Sequence, residues 1–182
     1  GLLVALMVIT KLIQPTFGAS GLESLARAAL PFAFATAAMA IVVIVGGIDL
    51  SIASMMAVCG VTAAVLMESM GAVPAVLITL CVGLAMGALN GALIVLTKVP
   101  DIVVTLAMLF VWEGVALIIL HSPGGGAAEW LKGMLIGHVA LPIVPETITL
   151  WIPNSLVLLC VCLGAVWWPF RRSNFGLSVY AI

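Results

Sequence analysis

From Ala28 to Ile48 the chain carries no charged side chain, and the run leads straight into Gly46-Gly47-Ile48-Asp49-Leu50-Ser51-Ile52-Ala53-Ser54. At about 1.5 Å per residue, a helix of that length crosses the ~30 Å hydrocarbon core of a bilayer. Backbone polar groups find no water there, so a spanning segment must be a helix or part of a closed barrel. A carboxylate near the bilayer centre costs about 2.5–3.5 kcal/mol on insertion scales, so Asp49 needs a local reason. The glycine pair supplies one by ending the incoming helix. Asp49 is then expected to cap a new helix starting near Leu50, at the positive end of its dipole. Broken helices of this kind place polar groups at membrane depth. The whole chain agrees with this environment: 65% of residues are hydrophobic and 7% charged, against about 25% charged in a soluble domain. The fold class is all-α, a polytopic transmembrane helix bundle with a broken or re-entrant helix near 46–54.

Taken in order, about six spans are expected: Leu2–Ile13, Ala28–Ile48, Leu50–Met67, Ala75–Thr97, Ile102–Leu120 and Leu150–Trp168. Pro15 to Arg27 reads as a short extramembrane link, with Pro31 in the first turn of the second span, where proline is tolerated. Ser69 to Pro74 reads as a tight turn that makes a hairpin of the third and fourth spans. Gly83, Gly87 and Gly91 recur at four-residue spacing, the small-xxx-small pattern that lets helices approach closely in lipid. Asn90 lies beside that face. Asp101 reads as the N-cap of the fifth span, which carries Thr105 and Glu113. A longer polar stretch runs from His121 to Thr149. Trp151 and the Trp167-Trp168 pair bracket the sixth span as interfacial anchors, followed by Arg171 and Arg172. Six crossings put three basic residues on each side, and the Arg pair beside the tryptophans favours a cytoplasmic Arg172 side.

Several chemistries are excluded. Net charge is −1 and no basic cluster occurs, so nucleic acid is not an expected partner. Cys59, Cys81, Cys160 and Cys162 lie in apolar runs and read as small core residues, not as disulfides or metal ligands. His121 and His138 have no second ligand type at metal spacing. No lysine follows a glycine-rich phosphate loop, and no G-x-S-x-G elbow is present. No catalytic constellation, cofactor or metal is expected. Gly1 lies inside an apolar run and Ile182 inside a polar one, so the expectation is a fragment of a longer protein.

Four blocks carry a resemblance. Gly46 to Ser54 resembles the hallmark of permease subunits of bacterial ABC importers for simple sugars such as ribose, xylose, arabinose and galactose, some of whose relatives carry autoinducer-2. Gly87-Ala88-Leu89-Asn90-Gly91 resembles the family's glycine-rich fourth helix, and Lys98-Val99-Pro100 with Thr105-Leu106 its next signature. Phe175-Gly176-Leu177-Ser178-Val179-Tyr180-Ala181-Ile182 resembles the start of the cytoplasmic loop that docks on the ATPase. Two positions depart from the pattern: Glu113 stands before Gly114 where a basic residue is usual, and Leu177 follows Gly176 where arginine is common.

The resemblance implies a single permease domain over 1–182, the amino-terminal part of a longer chain in the bacterial inner membrane. It implies a second permease subunit (homo- or heterodimeric), a separate ABC ATPase subunit and a periplasmic sugar-binding protein. ATP hydrolysis then belongs to the partner, not to this chain. Gly46, Gly47, Asp49, Ser51, Ser54, Asn90, Thr105 and Glu113 become candidates for the translocation path and its hinge. Gly83, Gly87 and Gly91 are assigned to packing, and Phe175, Gly176, Tyr180 and Ala181 to ATPase coupling. Asp49 is read as a cap at the break or as a gating contact, and Asn90 as an interhelical bond or a pathway contact. Glu113 is read as a structural partner of a residue elsewhere or as a pathway group. The rivals are a branched-chain amino-acid permease of the same architecture, an ion-coupled secondary transporter, and a purely structural membrane subunit.

Overall fold

A computed structural model describes residues 2–14, 18–120, 125–136 and 153–172, which are helical with short links. The helices are α1 (Leu2–Ile13), α2 (Ala19–Ile44), α3 (Ile52–Met70), α4 (Ala72–Thr97), α5 (Asp101–Ile119), α6 (Glu129–Leu135) and α7 (Asn154–Arg172). Four of them, α2 to α5, are long and apolar enough to span a bilayer. The expected count of about six is larger. Among the described residues, α1 has 12 residues, and the apolar part of α7, Asn154–Ala165, is shorter than a full crossing. The described residues divide into two compact units, one within 1–34 and 132–172, the other within 35–131.

The second unit holds the break. In it α3 packs along both α4 and α5. Val58, Met86, Met108, Trp112 and Ala116 form its buried core. Large apolar side chains instead point outward: Leu84 is 74% exposed, Leu96 80% and Leu117 65%. In water that surface would be untenable. In lipid it is the expected outer face, because tails are as apolar as leucine and helices associate through close packing and polar bonds. Of the cysteines read as small core residues, Cys59 packs half-buried against this core and Cys162 is half-buried, whereas Cys81 and Cys160 are exposed, which corrects the reading for those two.

The hairpin between α3 and α4 is tighter than the expected Ser69–Pro74 turn. Only Gly71 links the helices, at φ 83°, a conformation that costs glycine little. Pro74 falls in the first turn of α4, where its missing N–H leaves no helical bond unmade. α4 ends at Lys98, whose left-handed backbone (φ 56°) lets its N–H reach the Ile94 carbonyl at 3.1 Å. Asp101 is the first residue of α5 and Pro100 occupies the cap position, which corrects the reading of Asp101 as N-cap.

The small face of α4 meets α3 unevenly. A Cβ on Gly83 would stand 3.3 Å from Cys59 Sγ, and one on Gly87 3.9 Å from Met55 Cε. One on Gly91 would meet nothing within 4 Å. Beyond α5, Gly125 (φ 89°) lies so close to α3 that an added Cβ would stand 2.6 Å from Ala64 Cβ. The first described residues of the long polar stretch therefore fold back onto the last turns of α3.

In the first unit, Glu23 and Arg27 form an i,i+4 pair at 3.6 Å early in α2. The expected extramembrane link is thus helical from Ala19 onward, and Pro31 lies in the helix interior, not in a first turn. Interior proline is tolerated in membrane helices because local adjustments re-satisfy the freed carbonyl. The last described helix runs past the expected end at Trp168: Leu156 and Val157 donate to the Pro153 carbonyl at 3.0 and 3.4 Å, and the helix continues to Arg172, while Leu150 lies outside the described residues. Arg172 lies over the Trp168 ring, Cζ 4.3 Å from its centroid. Trp151, His121, His138 and the 173–182 segment with Phe175, Gly176, Tyr180 and Ala181 lie outside the described residues.

Candidate functional site

The glycine pair ends α2 by a specific bonding pattern. Gly47 donates to the Val42 carbonyl at 3.0 Å and Gly46 to that of Val43 at 2.9 Å, with Gly46 at φ 83°. This is a Schellman closure, whose positive-φ position glycine fills without strain. Gly47 is small for a second reason: a Cβ there would stand 3.2 Å from Val42 Cγ1 and 3.3 Å from Asp101 Oδ2. Helix resumes only at Ile52.

The residues between are not helical, and their backbone groups need other partners. The start of α5 supplies two. Asp101 Oδ2 accepts a short hydrogen bond from the Ile48 N–H, and Thr105 Oγ1 donates to the Ile48 carbonyl at 3.3 Å. Asp101 and Thr105 are four apart and so share one helix face. The other Asp101 oxygen accepts from Ile102 N–H at 2.9 Å.

The cap expected of Asp49 is displaced. Ser51, not Asp49, holds the N-cap position of α3, with helical φ −86° and ψ −7° and no side-chain cap bond. Asp49 Oδ1 instead accepts from the Ser51 backbone N–H at 2.8 Å and from Ser51 Oγ at 2.6 Å. A short acceptor two residues upstream closes this local turn more easily than it reaches the helix itself. Ser54 Oγ donates to the Ser51 carbonyl at 2.8 Å.

From Ser51 the bonds leave the break. Asn90 Nδ2 donates to Ser51 Oγ at 2.7 Å and contacts Met55 Sδ at 3.6 Å, while Asn90 Oδ1 accepts from Trp112 Nε1 at 3.3 Å. Ser51 is 0% exposed and Asn90 3%, so these polar groups are withdrawn from any solvent, and each has a partner. A chain of hydrogen bonds therefore links α5, α4 and the break: Trp112, Asn90, Ser51, Asp49. Neither Trp112 nor Asp101 was foreseen as part of this constellation. The available signals were an indole N–H well inside an apolar span, which needs a partner, and the i,i+4 spacing of Asp101 and Thr105.

Beside this chain opens a recess of about 580 Å3. Its walls are Ile41 and Val42 at the end of α2, Val45 to Asp49 on the break, Gly87, Asn90, Gly91 and Ile94 on α4, and Asp101 and Thr105 on α5. Six of the lining residues, Ile41, Val42, Val45, Ile48, Ile94 and Asp101, were not singled out as site residues. Of those that were, Gly46, Gly47, Asp49, Asn90 and Thr105 line it together with Gly87 and Gly91, whereas Ser51 and Ser54 lie buried behind it. Glu113 and Gly83 are not among the lining residues: Glu113 is exposed on α5, one residue round from buried Trp112. The polar side chains among its walls are the carboxylates of Asp49 and Asp101, Asn90 and Thr105, and no basic residue lines it. Such a lining suits a ligand rich in hydroxyl donors and disfavours an anion.

Residues 21–182 match the family model described as branched-chain amino acid transport system / permease component. Curated relatives include the autoinducer 2 import system permease protein LsrD of Escherichia coli strain K12 and of Shigella flexneri. Each is 30% identical over 145 residues, covering 79% of this chain and 43% of the relative. The chain thus spans less than half the length of these relatives. No solved structure matches it.

Proposed function

Because the chain belongs to this family of transport permeases, and is a multi-pass protein of the inner membrane, we propose that it forms part of the translocation path of an ATP-driven importer for a small, neutral, hydroxyl-rich solute of the simple-sugar kind. The observation that carries this reading is the recess at the break, lined by the carboxylate acceptors of Asp49 and Asp101 with no cation on its walls. A sugar presents many hydroxyl donors and no net charge, so it can exchange water for these acceptors at little cost. An amino-acid substrate brings a carboxylate, for which no basic partner lines the recess.

The narrower readings rest on likeness. LsrD is an autoinducer 2 import permease, which makes autoinducer 2 a candidate beside ribose-like monosaccharides. A second permease subunit, a separate ATPase and a periplasmic binding protein are the expected partners. Residues 1–182 are the front part of one permease domain, and Phe175, Gly176, Tyr180 and Ala181 are its ATPase-coupling contacts. The binding protein supplies most of the affinity. The recess holds its cargo weakly, since a solute must leave the path as readily as it enters. Closure of the ATPase tilts rigid helices about the Gly46-Gly47 break and opens one side at a time.

The test is uptake in proteoliposomes by the assembled transporter, with ribose, xylose, arabinose, galactose, autoinducer 2 and leucine offered in parallel. ATP-dependent accumulation of a sugar or of autoinducer 2, with leucine excluded, supports the reading. Accumulation of leucine alone, or uptake that persists without the ATPase and collapses with the ion gradient, overturns it.

A further inference from the structure

Among the groups behind the recess, Trp112 stands apart. Tryptophan in membrane helices gathers at the interfaces, yet Trp112 is seven residues from the end of α5 (Asp101–Ile119), about 10 Å along the axis, and 9% exposed. Its indole N–H can only donate. The Asn90 side chain has two faces of similar shape, and which one meets which neighbour is decided by the partners it finds. Facing Trp112 Nε1 at 3.3 Å, that face must be the carbonyl; an amide nitrogen there would set donor against donor. Nδ2 is thereby turned to Ser51 Oγ at 2.7 Å, where it occupies a lone pair and leaves the serine hydroxyl free to donate to Asp49 Oδ1 at 2.6 Å. Were the amide reversed, the serine hydrogen would be drawn to Asn90 and Asp49 would keep only the Ser51 N–H.

We propose that Trp112 is the positioning residue of the recess: its N–H selects one orientation of the Asn90 amide, and through Ser51 fixes the bonds, and so the free lone pairs, of Asp49. The effect on transport rests on the reading of the recess as a path for hydroxylated solutes; the effect on the amide does not. Trp112 touches no solute and acts only through Asn90. It is a donor gate set from behind the wall.

Two measurements test this on the intact permease. In the first, indole 15N–1H resonances are recorded for the wild type, for Asn90→Ala and for Ser51→Ala. The Trp112 Nε1–H signal is expected to move strongly in Asn90→Ala and measurably in Ser51→Ala, because the hydrogen bonds polarise one another. An unmoved signal in Asn90→Ala overturns the proposal. In the second, benzothienylalanine replaces Trp112, keeping ring shape and substituting sulfur for N–H. The apparent KM of the transported solute is expected to rise on the order of fivefold, the factor that loss of one such bond gives, with thermal stability and protein level little changed. A Trp112→Phe variant that folds should show the same KM rise. Wild-type KM in the benzothienylalanine protein overturns the positioning role. If the wild type carries none of the solutes, the functional reading fails, while the resonance shifts still decide the amide orientation.

Discussion

Replacing Ser51 by alanine removes one oxygen that is 0% exposed and holds two bonds, one from Asn90 Nδ2 at 2.7 Å and one to Asp49 Oδ1 at 2.6 Å. Bonds to charged groups in soluble proteins contribute about 1.5–3 kcal/mol, whereas interhelical bonds in membranes average ~0.6 and reach ~1.7 kcal/mol. Burial argues for the upper part of the membrane range. The open recess beside partly exposed Asp49 argues against exceeding it, because water can reach that carboxylate. Asp49 also keeps the Ser51 N–H at 2.8 Å, and Asn90 keeps Met55 Sδ for its other hydrogen. Ser51→Ala is therefore expected to cost about 1.5 kcal/mol, and a double-mutant cycle with Asn90→Ala to give a coupling of about 1 kcal/mol. Ser54→Ala is the internal control. Its hydroxyl only adds to a carbonyl that already accepts the Met55 N–H at 2.9 Å, so its loss should cost less than about 0.5 kcal/mol. Unfolding in mixed micelles titrated with denaturing detergent measures all four variants. A coupling within about 0.3 kcal/mol of zero, or a Ser54→Ala cost equal to that of Ser51→Ala, would refute the bonded chain as a stabilising unit.

Gly46→Ala places a Cβ at φ 83° and should cost about 1–2 kcal/mol in the same unfolding assay, although nothing lies within 4 Å to clash with it. Gly91→Ala should leave stability within about 0.5 kcal/mol, since its Cβ meets nothing, yet reduce uptake by narrowing the recess; unchanged uptake would remove Gly91 from the path. Asp101→Asn should destabilise by about 1–2 kcal/mol, because both oxygens accept backbone N–H bonds and an amide can replace only one; hydrogen exchange at Ile48 should rise in parallel.

Much of the helical architecture was legible because membrane spans declare themselves by length and by the absence of charge. The break was legible too: a glycine pair, an aspartate and two serines inside apolar sequence leave few alternatives. On α4 the glycine row marked the packing side, with Asn90 beside it. What did not show was the inward face of α5, which is apolar all round, so no periodic stripe marks the side that carries Trp112. Asp101 was read by its local grammar, an acid after Pro100, as a cap. Its actual bond spans to Ile48, 53 residues away; the i,i+4 spacing with Thr105 marks a shared face but does not name that partner. Pro31 misled in the same way, since a proline near the start of an apolar run looks like a beginning when the helix has already run from Ala19.

The first turns of α5 grip the peptide of Ile48 by both poles, the acid of Asp101 on its N–H and the hydroxyl of Thr105 on its C=O. These two bonds tie the Ile48 peptide to α5, so any displacement of α5 relative to the Gly46-Gly47 break must either carry that peptide along or open the clasp.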